Sequence, residues 1–163
     1  MNCTSLAGAL TLPASLKEIW ADAFRACSSL TGLAFAEGSV CERIDMAAFA
    51  YCEGLRGALT LPPSCARIGA SAFAFCRSLS EITVKASPIY LGDGVFQGCA
   101  ALTAVKLGAV VEVGKGTFSG CSALGEILFL GLYKHRGYRN ERTRLLEGLR
   151  TGLFGKVKVR YTK

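Results

Sequence analysis

Cysteine returns along this chain at a nearly constant interval: Cys3, Cys27, Cys52, Cys76, Cys99 and Cys121 follow one another in steps of 24, 25, 24, 23 and 22 residues. A sustained period of this size means that one supersecondary unit is built repeatedly and that each copy buries its apolar face against the next. The neighbours of each cysteine repeat with it. Three residues after each stands Leu6, Leu30, Leu55, Leu79, Leu102 or Leu124, and three before each from the second onward stands Phe24, Phe49, Phe73, Phe96 or Phe118. Five residues before each phenylalanine comes Ile19, Ile44, Ile68, Leu91 or Val113. Spacings of five and three fit neither the helical nor the strand period.

A stacked coil accounts for them. Between each leucine and the following turn lies a short alternating run: LTL (10–12), LAF (33–35), LTL (59–61), ITV (82–84), VKL (105–107) and ILF (127–129). Alternation over a few residues marks a half-buried strand, and copies one period apart can pair as a parallel ladder. Ile68, Phe73 and Cys76 then point inward from successive sides of one coil, with Ile44, Phe49 and Cys52 behind them and Leu91, Phe96 and Cys99 ahead. Gly69 and the small residues after it are expected to let the backbone turn corners.

The pattern C-x-x-L, a strand, often L-P-x-S, then I-x-x-x-A-F-x-x-C resembles the BspA-like (Treponema-type) leucine-rich repeats. LTLPASLKEIWADAFRAC and LTLPPSCARIGASAFAFC carry the resemblance most closely, and it covers residues 3 to about 129. Copies four and five depart from it, lacking L-P and carrying GVF and GTF in place of A-A-F or S-A-F. The resemblance implies a mainly β fold: a short leucine-rich-repeat solenoid with parallel strands that binds other macromolecules. Its members are often surface adhesins or interaction modules, and they share no catalytic residues to carry over.

The expected organisation is about five and a half repeats over residues 1–130 and a basic C-terminal cap over 131–163. NERTRLLEGLRTG (140–152) predicts a short helix, with Asn140 as its N-cap, a stripe of Leu145, Leu146 and Leu149, and Gly152 as its stop. KVKVRY (156–161) predicts a strand with Lys156, Lys158 and Arg160 on one face. The chain opens inside a repeat. Solenoids need capped ends, so the first coil is expected to be covered by a partner or by more chain. No leader of the secretory kind opens the sequence, which favours an intracellular location, or a cell-surface one if the chain is part of a longer secreted parent.

Candidate chemistry is sparse. Zinc sites draw on close pairs such as C-x-x-C, absent here, and the cysteine ladder reads as buried thiols that pack as small hydrophobes. Cys41 and Cys65 share a second repeat position, and stacking would bring them within disulfide reach; without a secretory leader, free thiols are favoured. His135, the single histidine, has no evident nucleophile or orienting group beside it. No cofactor, metal or small-molecule substrate is expected.

Charge supplies the one functional signal. Residues 1–133 carry 9 Lys/Arg against 10 Asp/Glu, whereas residues 134–163 carry 10 against 2, so the whole net charge of +7 lies in the tail. Lys134, Arg136, Arg139, Arg142 and Arg144 cluster there with Tyr133 and Tyr138 interleaved. Arginine among aromatics suits RNA or phosphate-rich partners and an anionic membrane surface; it also suits a solvated surface that keeps an apolar chain in solution. Two functions stand side by side. One is a non-enzymatic module that binds a protein through the outer strand face, with Thr11, Thr60, Thr83, Lys106 and Leu128 exposed. The other is a small accessory subunit of a larger assembly, docked through its uncapped first coil and basic tail.

Overall fold

The computed structural model describes residues 5–86, 88–130 and 158–161. Among them the chain forms twelve strands joined by turns. Six long strands carry the alternating runs: β1 (Gly8–Leu12), β3 (Leu30–Phe35), β5 (Gly57–Leu61), β7 (Leu79–Val84), β9 (Ala104–Leu107) and β11 (Glu126–Phe129). Between them lie five short ones: β2 (Glu18–Ile19), β4 (Arg43–Ile44), β6 (Arg67–Ile68), β8 (Ile89–Leu91) and β10 (Val110–Val113). The last, β12 (Lys158–Tyr161), belongs to the C-terminal segment. All pairings are parallel, and each joins a strand to its counterpart one coil away. The fold is the mainly β solenoid of stacked parallel strands that the period implies.

The inward points are buried as expected. Ile44, Phe49, Phe73, Phe96, Cys52, Cys76 and Cys99 are fully buried and belong to one continuous core. The phenylalanines form a column of near-parallel rings, with centroids 5.0, 5.2, 5.8 and 5.6 Å apart from Phe24 through Phe49, Phe73 and Phe96 to Phe118. The cysteines do more than fill space. Each thiol donates to the carbonyl of the phenylalanine one coil back: Cys52 to Phe24 at 3.0 Å, Cys76 to Phe49 at 3.2 Å, Cys99 to Phe73 at 3.1 Å and Cys121 to Phe96 at 3.0 Å. A small apolar side chain with a weak S–H donor meets both requirements at once.

The positions Ile19, Ile44, Ile68 and Leu91 also lie in strands. β2, β4, β6, β8 and β10 form a second parallel sheet, beyond the single ladder that the alternating runs predict. The first ladder is itself interrupted. β1 pairs with β3, and β5, β7, β9, β11 and β12 form a separate sheet. The cause is one extra residue: nine residues separate Cys3 from Leu12 and Cys52 from Leu61, against eight in the other copies. It is absorbed at Gly8 and Gly57, with φ of 84° and 79°, where the register of β1 on β3 and of β5 on β7 shifts. A bulge re-aims the strand's hydrogen-bonding groups, so β5 matches β7 and loses its match to β3.

Gly69 does not turn a corner. It is absent from the left-handed residues, and what it provides is space: a Cβ there would lie 2.6 Å from the Met46 backbone nitrogen. The corner falls to its neighbours. Asp22, Ala47 and Ser71 have φ of 56°, 54° and 56°, and Ala26, Tyr51 and Phe75 have φ of 57°, 63° and 60°. Copies four and five place Gly94 and Gly116, then Gly98 and Gly120, at the same points with φ of 61° to 76°. GVF and GTF therefore leave the turn geometry unchanged. These left-handed residues keep an alanine-rich segment out of a helix. Its N–H groups reach across to the next coil, from Ala47 to Ala70, Phe49 to Ala72 and Tyr51 to Ala74 at 2.8–2.9 Å.

β12 lies where the 156–161 strand is expected and pairs with β11, matching Glu126 to Lys158 and Leu128 to Arg160. Arg160 is ion-paired to Glu126 at 2.9 Å. The helix expected over 140–152 lies outside the described residues. Deleting residues 140–163 removes β12 and strips the edge of β11, and unpaired edges aggregate. Size-exclusion chromatography is expected to show aggregation or a marked loss of monomer; an equally stable monomer would mean that β12 protects nothing.

Candidate interaction surface

Two surfaces are built by the repeat. The first is the outer side of the long-strand sheet. Register places Thr60, Thr83, Lys106, Leu128 and Arg160 in one row across β5, β7, β9, β11 and β12. Thr11 aligns with Ala34 in the separate β1–β3 pair. Thr11 and Thr60 are exposed, whereas Thr83 and Lys106 are half-buried, and Lys106 is tied to Glu81 at 3.5 Å. The expected row is thus present from Thr60 to Leu128, but Leu128, like Thr83 and Lys106, is half-buried rather than exposed, and Thr11 lies in the other sheet. Lys134, Arg136, Tyr138, Arg139, Arg142 and Arg144, and with them His135, lie outside the described residues.

The second surface was not anticipated. It lies over the left-handed turns of the first three coils, where Asp22, Arg25, Met46, Tyr51, Ser71 and Phe75 line a depression of about 220 Å³. The Tyr51 and Phe75 rings stack at 4.8 Å, Arg25 lies over Tyr51 at 5.6 Å and Arg77 over Phe75 at 5.6 Å. Cation and rings thus form a column, Arg25–Tyr51–Phe75–Arg77, each contact contributing roughly 0.5–1 kcal/mol at an exposed site. Asp22 holds Arg25 at 3.0 Å and Glu53 holds Arg77 at 3.3 Å. Close by, Trp20 is 66% exposed and Met46 56%. Arg43 lies over the Trp20 ring at 5.7 Å and is itself held by Glu18 and Asp45 at 3.0 and 3.1 Å.

This edge is strained where it need not be. A left-handed backbone costs a residue with a Cβ roughly 1–2 kcal/mol. Glycine fills the same positions in copies four and five at no such cost. The coil therefore closes without a side chain there, and aromatic rings are kept at Tyr51 and Phe75 against local preference. Departures of this kind gather at functional sites. One signal in the sequence points to it: the residue before the repeat cysteine is Tyr or Phe in two copies and Ala or Gly in the other three that precede Cys27, Cys99 and Cys121.

Among the described residues no group of His, Cys, Asp or Glu is placed to hold a metal ion, and no helix is long and apolar enough to cross a membrane. Stacked parallel coils with a ringed edge define a repeat-built solenoid. The family model described as BspA type leucine-rich repeat region (6 copies) matches residues 42–135, more than half of the chain. The chain belongs to that family. A leucine-rich-repeat protein of Treponema pallidum, known from a crystal structure, is similar at 26% identity and a TM-score of 0.66, over 93% of this chain and 73% of that one. No curated protein sequence matches.

Proposed function

We propose that this chain is a non-enzymatic interaction module that holds a protein partner against the aromatic–arginine edge of its first three coils. The fold and family suggest protein interaction in general; the strained column of Tyr51 and Phe75 between Arg25 and Arg77 carries the choice of surface. Exposed aromatics and arginines are the side chains that dominate protein interfaces. Here they are held in place by stacking, which lowers the entropy cost of association.

The double variant Tyr51→Gly, Phe75→Gly tests the reading, because Gly98 and Gly120 show that the coil accepts glycine there. Proteins retained by the immobilised wild-type chain should be lost from this variant by about tenfold or more, with its circular dichroism unchanged. Retention unchanged in that variant, but lost in Thr60→Ala, Thr83→Ala, Lys106→Ala, would move the site to the strand face. A second reading, an accessory subunit docked through a basic C-terminal segment, is favoured by the exposed Lys158 and Arg160 on the outermost strand. It would bring RNA, an anionic membrane or an acidic protein within reach. That reading predicts binding that falls steeply with salt and disappears when Arg136, Arg139 and Arg142 are reversed to Glu.

A further inference from the structure

We infer that Cys41 and Cys65 form a site of disulfide formation, and that the bridge staples the second coil to the third. Cys41 stands two residues before Arg43 and Cys65 two before Arg67, and Arg43 and Arg67 are register partners in β4 and β6. One residue beyond the cysteines, Ala66 N–H donates to the Glu42 carbonyl at 3.0 Å. Ser64 Oγ donates to the Cys41 carbonyl at 2.8 Å and to that of Ser39 at 3.2 Å. The two backbones are thus stacked as neighbouring strands are, about 4.8 Å apart, inside the roughly 4.4–6.8 Å between Cα atoms that a disulfide takes. Both residues are buried thiols, and the Cys41 thiol donates to the Arg43 carbonyl of its own coil at 3.7 Å.

The ladder cysteines are placed differently. Cys52, Cys76, Cys99 and Cys121 direct their thiols to the phenylalanine carbonyl of the preceding coil, and burial pushes the Cys76, Cys99 and Cys121 thiols up. Within the pair, interaction with Cys65 holds the Cys41 thiol below its ordinary value, while the same interaction and burial push the Cys65 thiol up. Location supplies the second observation. The corresponding positions in the other copies, three residues before Ile19, Leu91 and Val113, are Leu16, Pro88 and Val110. Only the second and third coils therefore carry the thiol, and the pair spans the junction between β3 and β5, where the long-strand ladder is interrupted.

The oxidant is a low-molecular-weight disulfide. The Cys41 thiolate attacks one of its sulfurs, forming a mixed disulfide and expelling a thiolate. Cys65 gives up its proton and attacks the Cys41 sulfur, forming the internal bridge and expelling the second thiolate. The expelled thiolates take up the two protons lost by the cysteines. Two electrons pass to the oxidant, which leaves as two thiols.

The test exposes the folded full chain to glutathione disulfide, then alkylates it after unfolding and maps the peptides by mass spectrometry. A Cys41–Cys65 cross-link is expected, with a mass lower by two hydrogens, the ladder cysteines alkylated and the thermal midpoint shifted upward until dithiothreitol is added. Cys65→Ser should stop at a glutathione adduct on Cys41 and lose the midpoint shift. If that variant fails to fold, the wild-type peptide map decides alone. The site is overturned if no cross-link forms while the unfolded chain oxidises readily, or if bridges to ladder cysteines form in equal yield. A cross-link that leaves the midpoint unchanged or lowers it overturns the stapling.

Discussion

Phe73→Ala is expected to lower the unfolding free energy by about 3–5 kcal/mol, the range for a buried aromatic truncated in a core. Phe73 is fully buried, between Phe49 at 5.2 Å and Phe96 at 5.8 Å. Its loss removes the transfer energy of a ring and two stacking contacts, and neighbouring coils cannot close the gap. Their spacing is held by backbone bonds such as Phe49 N–H to Ala72 and Phe73 N–H to Val95, at 2.8 and 2.9 Å. Phe49→Ala should behave alike, whereas Tyr51→Gly, two residues further along, should cost little. Urea unfolding monitored by circular dichroism measures all three. A loss below about 1 kcal/mol at Phe73 would be that of a surface residue and would mean that the inward register is wrong.

Stability is expected to fall steeply above pH 9, in proportion to the number of ladder thiols. Burial pushes the Cys121 thiol up to about 12, and it raises Cys76 and Cys99 too, aided by the charge of neighbouring sulfurs, from an ordinary value of 9.0. In the unfolded chain these groups ionise near that ordinary value. Below it both states hold the proton, and the thiols' contribution is fully present. Above it the unfolded state releases protons that the folded state retains, so stability falls as pH rises toward the folded value. Each such thiol contributes a slope of about 1.4 kcal/mol per pH unit across that window. Cys76→Ala, Cys99→Ala should therefore lose stability less steeply than the wild type between pH 9.0 and the alkaline limit, by about 2.7 kcal/mol per unit. Urea titrations in reductant at successive pH values would show it. Parallel slopes in the two proteins would mean that these thiols ionise as easily folded as unfolded.

The repeat was legible because stacking demands it. An inward side chain in one coil must sit on its counterpart in the next, so the period of Phe24, Phe49, Phe73, Phe96 and Phe118 encodes which residues are buried and which strands pair. The row of Thr60, Thr83 and Lys106 followed from the same register, as did β12 from the alternation in KVKVRY. The second sheet was less visible, since strands of two residues such as Arg43–Ile44 are too short to show a period. The gap between β3 and β5 was written in the sequence as one surplus residue beside Gly57, but its effect depends on which neighbour the bulge turns toward.

By itself, then, the sequence determined the coil, its inward face and the family to which it belongs, because those rest on chemistry recurring at fixed intervals. Tertiary structure alone decided the rest. A left-handed φ at Tyr51 or Phe75 cannot be read from residue type, for neither residue favours it; it is imposed by the inter-coil bonds of the turn. The column of Arg25, Tyr51, Phe75 and Arg77 exists because that turn aims successive side chains along the solenoid's edge. The stacking of the Cys41 backbone on that of Cys65, and the aiming of Cys52, Cys76, Cys99 and Cys121 at phenylalanine carbonyls, likewise depend on how one coil's backbone seats on the next.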